Sequence, residues 1–432
     1  MTARLAAAAL LVAACSGGGK ATTPQAPEDA AHTSPAPFDA APPRRAHFDR
    51  SKLSPDIEPC VGHDGEYVHC VARVVTGNRP KSLAFSPDGK ELWVALHYDK
   101  PALAVYDTTS FKLIGAVELG KYGAVELAFS ADGTRVYASQ FETADVYEVD
   151  RAKRKLLRVL ETGSAESKVI EISPDGKTLW VANWSGNEVT EFDLATGKRR
   201  RGLETPGIPR GLYATHDGKE LWVAGFSPGR LWRFDLDTGA RATLFDKAHS
   251  MRHLVADEDD ERLYISDLGD AKVYVADMLT GETKVLAEVD PKPNTIDLTP
   301  DGKVLYVSCR GTNNPETYLN VGPEWGTVLA IDAHTGRKLD AMVTGNQSTG
   351  LDVSPDGRLL ATSDFLDNRI NIYELPRTGT LVAGDGGTSA TYRANVAKKG
   401  DWGHKAHRDP HYWDRLPSAP APAHDKGKGE KK

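Results

Sequence analysis

Four basic residues, Lys81, Lys168, Arg210 and Arg252, each stand seven positions ahead of an aspartate: Asp88, Asp175, Asp217 and Asp259. If those aspartates mark a unit that repeats in space, the four cations arrive at equivalent places. Converging cations repel one another unless an anion, water or carboxylates screen them. The chemistry expected is therefore capture of an anionic group: a carboxylate, a phosphate or an acidic peptide. The opposing reading is a solvated tunnel in which Glu126, Glu171 and Asp297 pair with the cations. His253 follows Arg252 directly and joins the candidate set.

A second set of candidates lies eight to nine residues after these aspartates and their counterparts Asp132, Asp301 and Asp356. There the chain places Gln140, Asn183, Asp267 and Asp364, followed directly by Phe141, Trp184, Leu268 and Phe365, with His97, Phe226 and Arg310 at equivalent positions. Apolar walls with a few oriented polar groups suit a small molecule or a peptide; packing between repeats is the competing use of the same aromatics. Asn183, Asp267, Arg310 and Asp364 are taken as ligand-binding candidates together with the basic column.

Catalytic signatures are missing. No nucleophile elbow, zinc signature or phosphate loop occurs. His97, His249 and His253 could act as general bases with Asp267 or Asp364 as acids, but sequence does not bring them onto one substrate. No CxxCH is present, so covalent c-type haem is excluded. The tail segment DWGHKAHRDPHYWDR carries His404, His407 and His411, yet Pro410 interrupts the helix that would align them as metal ligands. No resident metal or cofactor is expected.

The marking aspartates belong to a turn phrase that recurs seven times: SPDGK, SADGT, SPDGK, THDGK, DEDDE, TPDGK and SPDGR. Successive aspartates from Asp88 to Asp301 are 42 to 44 residues apart, and the last step, to Asp356, is 55. Periods of this length mark propeller blades. Each unit reads as four strands. An apolar strand leads into the turn, where Pro presets φ, Asp caps and Gly accepts positive φ. Two more strands follow, then a second turn such as DLDTG, then a polar outer strand. The long last interval holds an insertion, residues 310–325, which could cover the channel or dock a partner.

The seventh unit ends at Pro376 without an outer strand, and an orphan strand, residues 70–77, precedes the first unit. The orphan is expected to complete the last blade and close a ring. The fold class is thus all-β, a seven-bladed β-propeller. The phrases LWVAN, LWVAG, LYVSC and LYISD after the turns resemble the YVTN-repeat propeller family over residues 70–376. That resemblance implies the fold. It leaves the chemistry open, since its relatives include nitrite-reductase haem propellers, lactonase-like propellers and secreted binding proteins.

The ends have different roles. MTARLAAAALLVAAC reads as an export signal, too short to span a bilayer. Val12-Ala13-Ala14-Cys15 resembles the bacterial lipobox, which implies cleavage after residue 14 and lipid on Cys15; Ser16 fits outer-membrane sorting. Residues 15–59 read as a Pro/Ala/Thr-rich tether, 60–377 as the propeller and 378–432 as a low-complexity tail. An exported chain meets an oxidising compartment, and Cys60 and Cys70 flank a short Gly-containing loop, so they are the expected disulfide, leaving Cys309 free.

With 432 residues and a net charge of −7, nucleic acid is not an expected partner. The expectation is a monomeric, lipid-anchored propeller at the bacterial envelope. It touches the membrane only through its lipid and binds a small anionic ligand or an envelope protein at its basic rim. The rival readings are a lactonase-like hydrolase or lyase on the same rim, and a propeller holding haem without covalent attachment.

Overall fold

A computed structural model describes residues 47–98, 100–322 and 324–383. The signal, Cys15, most of the tether and the histidine-rich tail lie outside the described residues. Seven four-stranded antiparallel sheets form the blades of a propeller. The first six run in simple chain order. In the seventh, strand β1 (His69–Val75) pairs with Arg369–Glu374, and its register joins Val75 to Arg369 and His69 to Glu374. The orphan strand therefore closes the ring.

The recurring phrase builds the same turn in six of the seven blades. Ser86, Ser130, Ser173 and Ser354 donate their hydroxyls to the turn aspartates two residues on, at 2.6 to 2.7 Å. Thr215 and Thr299 do the same at 2.8 Å. The glycine that follows has φ near +70° at Gly176, where a side chain would be strained. The fifth copy lacks this glycine, and Asp260 occupies the left-handed position with φ 56°. Its carboxylate accepts the backbone N–H of His216 at 2.7 Å and the hydroxyl of Tyr213, so the departure ties the fifth blade to the fourth.

Much of the contact between blades is apolar. Trp93, Trp222 and Trp232 are fully buried among Val, Leu and Ala from adjoining strands. This burial supplies most of the drive to stack the blades.

Both ends of the folded unit lie beyond the boundaries that composition suggests. Residues 47–59 have the composition of a tether, yet Phe48, Leu53 and Ile57 pack on the apolar cluster between the last and first blades. Phe48 stacks on Phe111 at 5.7 Å, and Glu58 pairs with Arg369 at 2.6 Å. These few apolar residues find a groove that the local composition does not reveal. At the other end, a short helix, Thr378–Ala383, buries Leu381 beside Leu339 and Leu375.

Cys60 and Cys70 are joined, with Cα atoms 5.7 Å apart. Cys70 lies in β1, so the bridge ties the preceding loop to the closing strand. Asp340 holds the same loop through the backbone N–H groups of Glu66, Tyr67 and Val68. Cys309 is free and buried. Closing a loop of about ten residues restricts the unfolded chain by roughly 2–3 kcal/mol. Replacing both cysteines with serine is expected to lower unfolding stability by that amount in denaturant titrations. An unchanged midpoint would mean that Asp340 and the Glu58–Arg369 pair alone hold the closure.

Candidate anion-binding site

The inner strand of each blade begins at one rim and runs toward its turn, while the second strand returns to the same rim. Register pairs Pro80 with Leu96, Ser167 with Asn183, Met251 with Asp267 and Ser348 with Asp364. The basic column and the residues after the second strands therefore do meet at one rim.

Serines on the second strands fix the column from the neighbouring blade. Ser139 donates to the Lys168 carbonyl at 2.5 Å, Ser266 to that of Asn294 at 2.6 Å and Ser308 to that of Thr349 at 3.2 Å. Thr349 in turn donates to the Lys81 carbonyl at 3.1 Å, across the junction of last and first blades. The starts of the inner strands are thus positioned by contacts around the ring.

Five cations converge there. Arg210, Arg252 and Arg310 are 7%, 6% and 6% exposed, and Lys81 and Lys168 are half-buried. Burial is the main influence pulling Lys81 and Lys168 well below the ordinary lysine range, and the arginines add to it. Arg252 is pulled down by burial and then by Arg210 and Arg310; burial brings Arg310 to about 10. A guanidinium nevertheless stays protonated at neutral pH. The three arginines therefore keep their charge, and the lysines absorb the strain by giving up protons more readily.

Among the described residues, no carboxylate lies within ion-pairing distance of any of the five. Several of their N–H groups are buried with no hydrogen-bond acceptor: Nε and Nη1 of Arg210, and Nε of Arg252 and Arg310. Buried donors are usually satisfied, so these four point to a missing partner. Arg310 does donate through Nη2 to Gln347.

Aromatic rings hold the cations from the side. Lys81 Nζ lies 4.6 Å from the ring of Phe365, Lys168 Nζ 4.7 Å from Phe141 and 3.8 Å from Trp184, and the Arg252 guanidinium 5.7 Å from Phe226. In three cases the aromatic belongs to the preceding blade. Cation–π contact stabilises a charge without neutralising it. The aromatics of the second column thus both pack and support the cations.

Buried carboxylates of the inner strands, Asp297 and Glu171 expected as counter-charges and Asp352 not, serve elsewhere. Asp297 accepts the backbone N–H of Val353 at 2.8 Å, Asp352 that of Phe85 at 2.7 Å and Glu171 that of Ala214 at 3.2 Å. Each bond joins one inner strand to another. Burial pushes Asp297 up to about 6 and Glu171 to about 8, and burial with repulsion from Asp297 raises Asp352. Glu126 accepts from Ser82, and burial raises it too, against the pull of Arg210 and Lys81. Its field reaches Arg210 and Arg252, while Glu166 acts on Lys168.

Other sequence candidates are differently placed. Asn183, Asp267 and Asp364 are fully buried. Asn183 bonds Ser167 and Thr190, and Asp267 accepts the N–H groups of His249, Ser250 and Gly269. Asp364 accepts from Asn371 at 2.8 Å, and burial raises it to about 6. These three organise the rim loops from inside, and the structure does not bring them to the cation ring. His253 lies by Arg210 and Arg252 with Nδ1 unpartnered; burial and those cations lower it to about 3, so its imidazole is neutral. His97 Nε2 is 3.2 Å from Glu142.

Sequence reasoning missed Tyr318, Arg79 and Asp352. Tyr318, in the insertion, has its ring 5.6 Å from the Arg310 guanidinium, and its carbonyl accepts from Gln347. Arg79 lies over Tyr98 and Phe365 at 4.9 and 5.5 Å. The insertion follows no repeat, so counting along the chain could not place Tyr318. Asp352 was findable: it and Asp297 share the position four before the turn aspartate.

No protein-family profile matches the chain. The likeness to YVTN repeats therefore rests on the repeat phrases. Over 83 residues, 19% of the chain, it is 58% identical to Antigen Lp49 of Leptospira interrogans serogroup Icterohaemorrhagiae serovar copenhageni. That match spans 18% of the relative's length. Among solved structures, a chain of Kuenenia stuttgartiensis hydrazine synthase superposes with a TM-score of 0.58 at 19% identity, covering 70% of this chain and 97% of that one. This likeness concerns the fold alone.

Proposed function

We propose that this chain is an envelope-displayed propeller that binds an anionic ligand at the cation ring of its channel mouth. The observation that carries the reading is the set of buried arginine N–H groups without acceptors, in a ring that no carboxylate pairs among the described residues. Such groups are costly to leave unmade, and an anion would satisfy them with charge-assisted bonds. Fixed donors held by neighbouring blades give a pre-organised site, which reduces the ordering needed on binding.

Display at the envelope is supported by the lipobox-like run ending at Cys15 and by the Pro-rich stretch that follows. A relative of part of the chain carries the name antigen, which agrees with display. In this reading the lipid on Cys15 is the only membrane contact, and the ring faces the ligand at the end of the leash.

The test is calorimetric titration of the full chain with carboxylate, phosphate and sulfate anions. Changing Arg210 and Arg252 together to Gln is expected to weaken every anion that binds by about 100-fold, as for removal of desolvated charge partners. Affinity that survives the double change would sink the assignment of the ring.

A further inference from the structure

On the premise that the ring is an anion site, the way its charge is distributed narrows the class of ligand. The basic side chains of the ring come from five of the seven blades. Lys81 is on the first, Lys168 on the third, Arg210 on the fourth, Arg252 on the fifth and Arg310 on the sixth. At the equivalent inner positions the second, sixth and seventh blades carry Val125, Asn294 and Thr349, which are uncharged and buried. The cations therefore form an arc over four successive blades, from Lys168 to Arg310, with Lys81 completing the set from the first blade.

Neutralisation from within the protein is weak. The carboxylates of Glu171, Asp297 and Asp352 are engaged by backbone N–H groups of neighbouring inner strands. Among the described residues Glu126, held by Ser82, is the acid acting on Arg210 and Arg252, and Glu166 acts on Lys168. At least three permanent guanidinium charges thus face one partly compensating carboxylate. A singly charged ligand touching one or two neighbours would leave the remaining cations buried and unpaired. A ligand with several anionic groups would reach the N–H groups of Arg210, Arg252 and Arg310 together, and those groups come from three different blades.

We propose that the ring takes a compact polyanion, a molecule with three or more carboxylate or phosphate groups, seated across the channel mouth with its groups on the cations of different blades. The aromatic rings of Phe141, Trp184, Phe226 and Phe365 flank the same cations and keep bulk water from their sides. Tyr318, 45% exposed beside Arg310, supplies the wall on the sixth blade. Because the charges are held by separate blades, spacing between the ligand's anionic groups selects among polyanions.

The experiment is calorimetric titration of the full chain with four probes: acetate, orthophosphate, citrate and tripolyphosphate. Citrate or tripolyphosphate is expected to bind one to one, about 100-fold or more tighter than the matching single-group probe, since each further charge-assisted contact multiplies affinity. The tighter of the two identifies carboxylate or phosphate as the ligand's source of charge. Arg310→Gln is expected to weaken the polyanion by about tenfold and to change acetate little. If that variant misfolds, Lys81→Gln serves in its place, with the same expectation. Equal affinity for all four probes would overturn the polyanion assignment while leaving an anion site in place. No heat from any probe would overturn both.

Discussion

Arg252→Met is expected to raise the unfolding temperature of the anion-free protein and to remove its stabilisation by anions. The reason lies in the balance at the ring. Arg252 is buried, has no carboxylate partner among the described residues, and is pushed toward its neutral form by burial, Arg210 and Arg310. Methionine keeps the unbranched stem, which packs by Phe226, and removes the charge. Relief of desolvation and of repulsion from two buried neighbours is on the order of 1–3 kcal/mol at the effective dielectric of such sites. For a domain of this size that corresponds to several degrees. A cation kept for structure behaves the opposite way: its removal leaves a buried partner uncompensated and lowers stability. Paired melting curves, with and without citrate, check both halves. A lower melting temperature in the anion-free variant would show that Arg252 holds the fold rather than a ligand.

Glu171→Gln is expected to have an effect that depends strongly on pH. Glu171 accepts the Ala214 N–H, and burial raises its folded-state value to about 8. The folded state therefore binds more protons than the unfolded chain between the ordinary glutamate value and about pH 8. Stability then falls as pH rises through that window, because the slope of unfolding free energy with pH follows protons bound in the unfolded state minus those bound in the native state. Glutamine offers the same carbonyl acceptor and never ionises. At pH 4 the variant and the parent should match closely. By about pH 8.5 the variant should be more stable, on the order of 2–4 kcal/mol. Denaturant unfolding of both proteins at the two pH values measures the difference. A difference that stays constant with pH would mean that Glu171 is ionised in the fold and pairs with a cation of the channel.

Much of the fold was legible because one turn was repeated. The Ser/Thr hydroxyl on the turn aspartate, and the glycine after it, leave a phrase that can be counted, and counting from Asp88 to Asp356 gives seven blades. The missing outer strand after Tyr373 and the orphan before Arg79 pointed to the closure. The same counting placed Lys81, Lys168, Arg210 and Arg252 together, since equal distance from equivalent turns means equal height in the channel. It served less well after the second strands. Asn183, Asp267 and Asp364 stand at the rim, but their side chains turn to the amides and side chains of their own blade. Alternation along a strand tells inside from outside and does not say which of two buried groups a carboxylate will meet. Arg310 was found because it directly follows the last residue of its second strand, Cys309, where the count from the turn still holds; Tyr318, deeper in the insertion, was not. The tether boundary was misjudged because three apolar residues, Phe48, Leu53 and Ile57, decide it in a stretch whose composition is polar.

The measurement that bears most directly on the ring is anomalous diffraction at the bromide edge from crystals of the mature chain soaked in bromide. An anion at the channel mouth, within hydrogen-bonding reach of Arg210 and Arg252 and absent from an Arg210→Gln crystal, is the result expected of an anion site. Bromide confined to exposed lysines, with the ring filled by water alone, would contradict it.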